Sequence, residues 1–266
     1  MKAVVAAAAT LGLAFSVGAR QSSAAGNPLA TRPGLELGLQ AADYRYEEPD
    51  LMKLTGVRAG IVGAYTFTDS RRLFSRIEVR DSYGRLEYES SGTGSQSSVP
   101  DNIFEARAVA GADFFLGRSF SLSPYAGLGY RYLYSDLRGY SSTGAVGYRR
   151  ESNYVYAPLG LTARLLLGGG FALAPTAEAD FFLGGRQKTW LSDTGLAGLH
   201  DVVNSQDSGR GYRGYVMLEK DHWAFGAWMH YWRIEDSDVQ PIGGGFAGME
   251  PKNWTREGGL EIRYRF

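Results

Sequence analysis

The last seven residues, Leu260-Glu-Ile-Arg-Tyr-Arg-Phe266, alternate apolar and charged at every step. In an extended chain successive side chains point to opposite faces, so Leu260, Ile262, Tyr264 and Phe266 share one face and Glu261, Arg263 and Arg265 the other. The pattern recurs upstream. Val155, Ala157, Leu159, Leu161, Ala163 and Leu165 oppose Tyr154, Thr162 and Arg164; Phe104, Ala106, Ala108, Ala110, Ala112 and Phe114 oppose Glu105, Arg107 and Asp113. This period of two excludes helices. A sheet with one apolar and one charged face has two solutions. It packs as a soluble sandwich with its charges in water, or it closes into a barrel with lipid outside and the charges within. No uncharged apolar run reaches 18 residues, so a membrane can be crossed only by strands.

The alternation predicts strands over roughly 34–47, 54–67, 73–89, 102–115, 120–136, 152–166, 170–186, 210–220, 223–237 and 254–266. The connections alternate in length. Asp69–Arg72, Leu116–Ser119, Gly168–Gly170 and Lys220–His222 are short. Glu48–Lys53, Ser90–Asp101, Leu137–Glu151, Gln187–Gly209 and Asp238–Asn253 are longer, the first of them only slightly. Short turns on one rim and long loops on the other belong to an all-β, antiparallel up-and-down transmembrane β-barrel of about ten strands, with both termini on the short-turn side. Ser90–Ser98, almost pure Ser, Gly, Thr and Gln, has the composition of a flexible linker.

The apolar face carries aromatics near the strand ends: Tyr65, Phe67, Tyr130 to Tyr134, Trp223, Phe225, Tyr231, Trp254, Tyr264 and Phe266. These suit the interface girdles of a membrane barrel. The other face carries Glu36, Arg76, Glu78, Arg80, Glu105, Arg107, Asp113, Arg131, Arg164, Glu178, Asp180, Arg186, Arg213, Glu219, Glu257, Glu261 and Arg263. Nine acids against eight bases predict a lumen that neutralises itself, since a buried unpaired charge is very costly. Ten strands enclose little more than their own side chains. Lys+Arg and Asp+Glu are equal at 28, so no basic excess points to nucleic acid, and the absence of Cys excludes disulfides, thiolate metal sites and a lipid anchor on Cys.

The first residues follow the order of a secretory signal. Lys2 precedes an apolar stretch from Ala3 to Val17, and small residues follow, with cleavage after Ala25 or after Ala19 both fitting. With this leader over Met1–Ala25 and the final strand Leu260–Phe266, the chain resembles bacterial outer-membrane β-barrel proteins. The resemblance implies export, residence in the cell outer membrane among its lipids, and recognition of the terminal Phe266, Tyr264, Ile262 and Leu260 by the barrel-assembly machinery. In strand count it resembles the omptin proteases, whose site needs paired aspartates and an Asp–His pair on the outer rim.

That site is not legible here. His200-Asp201 are adjacent and point apart, Asp221-His222 falls in a short periplasmic turn, His230 faces inward between Trp228 and Trp232, and Asp236-Ser-Asp238 has no His partner in sequence. No nucleophile elbow, phosphate loop, metal-ligand spacing or cofactor motif appears. The loop Gln187–Gly209, the longest outer connection, holds Lys188, Trp190, Leu191, Leu196, Leu199 and His200. It suits contact with a partner, the leaflet or the barrel mouth. The sequence therefore points to a filled barrel with a structural or surface-interaction role. A small-solute channel and a barrel protease or lipid hydrolase stand as alternatives.

Overall fold

The computed structural model describes residues 27–70 and 72–266; the expected leader lies outside them. Its strands are β1 (Gly34–Glu48), β2 (Met52–Thr68), β3 (Leu73–Ser90), β4 (Gly94–Ala112), β5 (Phe114–Phe115), β6 (Phe120–Tyr140), β7 (Val146–Gly168), β8 (Phe171–Thr189), β9 (Val202–Gln206), β10 (Gly209–Lys220), β11 (Trp223–Ile234), β12 (Val239–Gly243), β13 (Phe246–Met249) and β14 (Asn253–Arg265). β4 and β5 form one stave broken at Asp113, because both pair with β6. β9 and β10 form another, because both pair with β8. Each stave is antiparallel to its neighbours, and β14 closes on β1 with Tyr264 opposite Leu37 and Trp254 opposite Glu47. The result is a closed ten-stave barrel whose ladders leave no open edge, the condition for strands to cross lipid. Phe266 donates its N–H to the Leu35 carbonyl at 2.9 Å, which puts the C-terminus beside the start of β1 on the short-turn rim.

The alternation read from sequence decides which way side chains face. Leu37, Leu39, Ile61, Ile77, Leu128, Leu159, Val216, Met229 and Leu260 are exposed on the outer wall. Tyr65 packs on Phe67 at one end of this belt, and Trp223, Tyr264 and Phe266 form a ring cluster near them. At the other end Tyr212 stacks on Tyr231. Val57 to Phe67 spans about 25 Å of height at the usual strand rise and tilt, the thickness of an outer-membrane apolar band.

Three expectations are corrected. Ser90–Ser98 is not a free linker: β3 runs to Ser90 and β4 begins at Gly94. The Leu137–Glu151 loop is likewise mostly strand, with only 141–145 between β6 and β7. These hairpins hold each other up above the membrane. Ser142 donates its N–H to Ser95 O at 2.8 Å, Ser95 donates its N–H to Ser142 Oγ at 2.9 Å, and Thr143 Oγ1 donates to Thr93 O at 2.9 Å. Composition suggested flexibility; the pairing of one hairpin with the next supplies the order. Third, Arg186 is outside the lumen. A bulge lets Gly184 oppose Val155 and Phe182 oppose Tyr156, so one residue is inserted and parity inverts. Gln187 turns inward and Arg186 outward. Smaller differences follow at the outer end: β11 stops at Ile234, Gln187–Gly209 holds a 3₁₀ turn (Leu191–Thr194) and β9, and β12 pairs with β13.

Candidate functional site: a charge-filled lumen between two cavities

Ion pairs tie opposite walls of the barrel together. Near the periplasmic end Glu36 takes Arg76 at 2.6 Å and also Arg265, while Glu78 takes Arg107 at 2.9 Å and Arg263 at 2.7 Å. Glu261 pairs with Arg263. At mid-height Arg107 reaches across to Glu178 at 2.7 Å. Arg213 donates to Asp180 and to Glu105 at 2.6 Å each and approaches Glu178 at 3.2 Å. Arg80 bridges Glu105 at 3.0 Å and Glu257 at 3.1 Å, and Arg131, fully buried, reaches Glu257 at 3.2 Å. Further out Arg58 pairs with Asp101 and lies 3.6 Å over the Tyr44 ring.

Aromatic side chains fill the space between the charges. Trp232 stacks edge-on against Tyr156 at 5.1 Å, and Arg131 lies 5.4 Å from the Trp232 ring. The Tyr125 hydroxyl donates to Glu178 at 2.7 Å. Two cross-strand pairs seat these tyrosines: Gly129 lies opposite Tyr156 and Gly160 opposite Tyr125, and a Cβ at either glycine would strike the ring. His230 lies 2.5 Å from the Tyr215 hydroxyl through Nε2 and packs on Trp228 rather than on a carboxylate.

Of the inward residues expected from sequence, Glu36, Arg76, Glu78, Arg80, Glu105, Arg107, Arg131, Glu178, Asp180, Arg213, Glu257, Glu261 and Arg263 all join this lattice. Asp113, Arg164 and Glu219 are inward with another role. Asp113 accepts from Thr31 N at 2.7 Å, Thr31 Oγ1 at 2.8 Å and Ser123 Oγ at 2.6 Å. Arg164 donates to Ser123 and Thr31 and stays 3.7 Å from Glu219. These groups hold the segment 27–33 across the periplasmic mouth, where Leu29 is buried and its carbonyl accepts from Ser121 Oγ at 2.6 Å. Sequence reasoning missed this plug, which carries no periodicity of its own.

Beneath the lattice lies a cavity of about 140 Å³ lined by Thr31, Glu36, Arg76, Arg107, Arg164 and Glu219. Above it, under the outer hairpins, lies one of about 410 Å³. Between them the space beside Arg80, Glu105 and Arg213 is about 10 Å³, hardly room for one water. The floor of the outer cavity is a cluster whose charged members, Glu48, Arg150 and Glu250, sequence reasoning left in loops. Arg150 donates to Glu48 at 2.5 Å and to Glu250, and Tyr46 donates to Glu48 at 2.8 Å. Burial, with the carboxylate of Glu48 alongside, lifts the Glu250 carboxyl to about 7 against the pull of Arg150.

The histidines are dispersed. His200 Nε2 lies 3.1 Å from Pro241 O while Asp201 takes Ser192, and His222 stacks on Tyr264 at the periplasmic rim. Asp236 accepts from Lys252 N, and Asp238 from Ser205 N. Trp190 packs against Tyr134 and beneath Arg149 and Lys188, while Leu191 reaches the outer cavity. The apolar loop therefore leans on its neighbour and also lines the mouth.

The fold is shared with solved bacterial outer-membrane barrels. The outer-membrane protease OmpT from Escherichia coli superposes with a TM-score of 0.51 at 12% identity, over 88% of this chain and 95% of that one. A major outer-membrane protein from Thermus thermophilus gives 0.39 at 12% identity, covering 87% and 99%. Neisserial surface protein A gives 0.35 at 13%, covering 88% and 97%. No protein-family profile matches the chain, and no curated protein matches it in sequence. The closed ten-stave antiparallel barrel, its apolar belt and the likeness to OmpT define the fold of a bacterial outer-membrane β-barrel.

Proposed function

We propose that this protein is a closed, non-conducting barrel that holds braced hairpins above the outer membrane for a structural or surface-interaction role. The observation that carries the reading is the ion-paired lattice spanning the lumen between two separate cavities. Pairs such as Arg107–Glu178, Arg213–Glu105 and Arg80–Glu257 join different staves, so opening a path would strand several charges at once. The leader over Met1–Ala25 would direct export, and the assembly machinery would read Leu260, Ile262, Tyr264 and Phe266 on the lipid-facing side of β14.

Single-channel recording of the refolded mature chain in planar bilayers tests the proposal. A barrel whose mobility in SDS gels changes on heating, and which passes no current, supports it. A steady conductance that Arg107→Ala or Glu178→Ala alters would replace it with a channel lined by the inward charges.

A further inference from the structure

The charged groups lining the outer cavity are two carboxylates and one guanidinium: Glu48, Glu250 and Arg150. Glu48 comes from the end of β1, Arg150 from β7, and Glu250 from the segment between β13 and β14. Arg150 serves both acids, so with both ionised the floor keeps one uncompensated negative charge. A buried charge of this kind must take up a proton or a cation. The groups facing Glu250 are Glu48 and Tyr46 from β1, and Arg150, Tyr148 and Tyr154 from β7, none of them a further cation. The Ser237 hydroxyl, on its own loop, accepts the Glu250 N–H at 2.7 Å.

The space above this floor is shaped for more than a proton. At about 410 Å³ it falls within the range of small-molecule pockets, and its walls are largely apolar, with Leu51, Met52, Leu137, Val202 and Ile242. The Tyr148 hydroxyl opens on the same space with no hydrogen-bond partner among the described residues. A carboxylate in need of a counter-charge, a free hydroxyl acceptor and an apolar enclosure together describe the complement of one molecule.

We propose that the outer cavity binds a small amphipathic monocation, its ammonium group on Glu250 and Glu48 and its apolar body against Met52, Leu137 and Ile242. The inference rests on reading the outer hairpins as an interaction surface, and it names the ligand class that surface takes. Proton and ligand compete for one carboxylate. With that carboxyl half-ionised near pH 7, affinity for an amine that stays protonated across the range rises about tenfold from pH 6 to pH 8.

The probe is 2-phenylethylamine, titrated calorimetrically into the mature chain in nanodiscs beside 2-phenylethanol and 3-phenylpropionate. The expected result is binding of the amine alone, one per barrel, with the tenfold rise between pH 6 and pH 8. Glu250→Gln abolishes both the binding and its pH dependence. Met52→Trp abolishes binding by filling the cavity while the carboxylates remain. Equal binding of the alcohol, unchanged binding in Glu250→Gln, or no heat at pH 8 overturns the proposal. The comparison of three ligands on the unmodified chain decides the matter even if a variant does not fold. Failure here leaves the closed-barrel reading standing, whereas a conductance would remove that reading without touching the cavity.

Discussion

Replacing Arg213 by methionine tests whether the lumen is held by charge pairing rather than by packing alone. Methionine keeps an apolar stem and removes only the guanidinium. The Arg213 side chain is 2% exposed and pairs with Asp180, Glu105 and Glu178. The three carboxylates do not lose equally. Glu105 keeps Arg80 at 3.0 Å, and Glu178 keeps Arg107 at 2.7 Å and Tyr125 at 2.7 Å. Asp180 has no other ion pair among the described residues. The cost should be that of one stranded buried carboxylate, about 3 kcal/mol, and not three times that figure. Urea unfolding in lipid vesicles reads the loss. Adding Asp180→Asn should recover most of it, while adding Glu105→Gln should not, because Glu105 still has Arg80 and its removal leaves Asp180 stranded. A loss below about 1 kcal/mol, or equal rescue by the two second changes, would refute the reasoning.

Other outcomes follow from the same geometry. Gly129→Leu should unseat the Tyr156 ring and destabilise the barrel by about 1–3 kcal/mol in the same titration, while an exposed glycine with open space around it, such as Gly92, should tolerate alanine. The raised Glu250 carboxyl gives the folded chain an affinity for protons that the unfolded chain lacks. Its contribution to stability is therefore complete below about pH 4.5 and fades as pH rises through 7, a slope that Glu250→Gln should flatten in unfolding curves taken across that range. Deleting Phe266, which is 64% exposed and contributes one backbone bond to Leu35, should slow insertion in cells far more than it lowers the stability of refolded barrels. Thr31→Val together with Asp113→Asn should free the segment 27–33, read as faster proteolysis from the periplasmic side with the barrel intact.

Much of the interior was legible because a strand has only two faces. Once the period was found, parity assigned residues as distant as Glu36 and Arg263 to one lumen. Arg58 and Arg265 share that inward parity and carried the same signal. Asp101, Glu48, Arg150 and Glu250 did not, because they sit at strand ends or in connections where the expected alternation had already stopped. Parity failed outright at Arg186, where a single bulge at Gly184 inverted it; sequence offers no count of inserted residues. The hairpins around Ser90 and Ser142 were misread for a related reason. Ser and Gly are poor strand formers in isolation, and what orders them is the bonding between one hairpin and the next.

By itself the sequence determined the class. A period of two with apolar and charged faces, and no apolar run long enough for a spanning helix, permits a membrane protein only as a closed barrel. Which acid meets which base was decided by the tertiary structure alone. Partners such as Arg80 and Glu257 stand on staves far apart in the chain, and closure of the ring brings them together. The same closure stacks the lattice, the plug below it and the cavity above it along one axis. Those positions depend on stagger and register around the whole circumference, a property that no single strand contains.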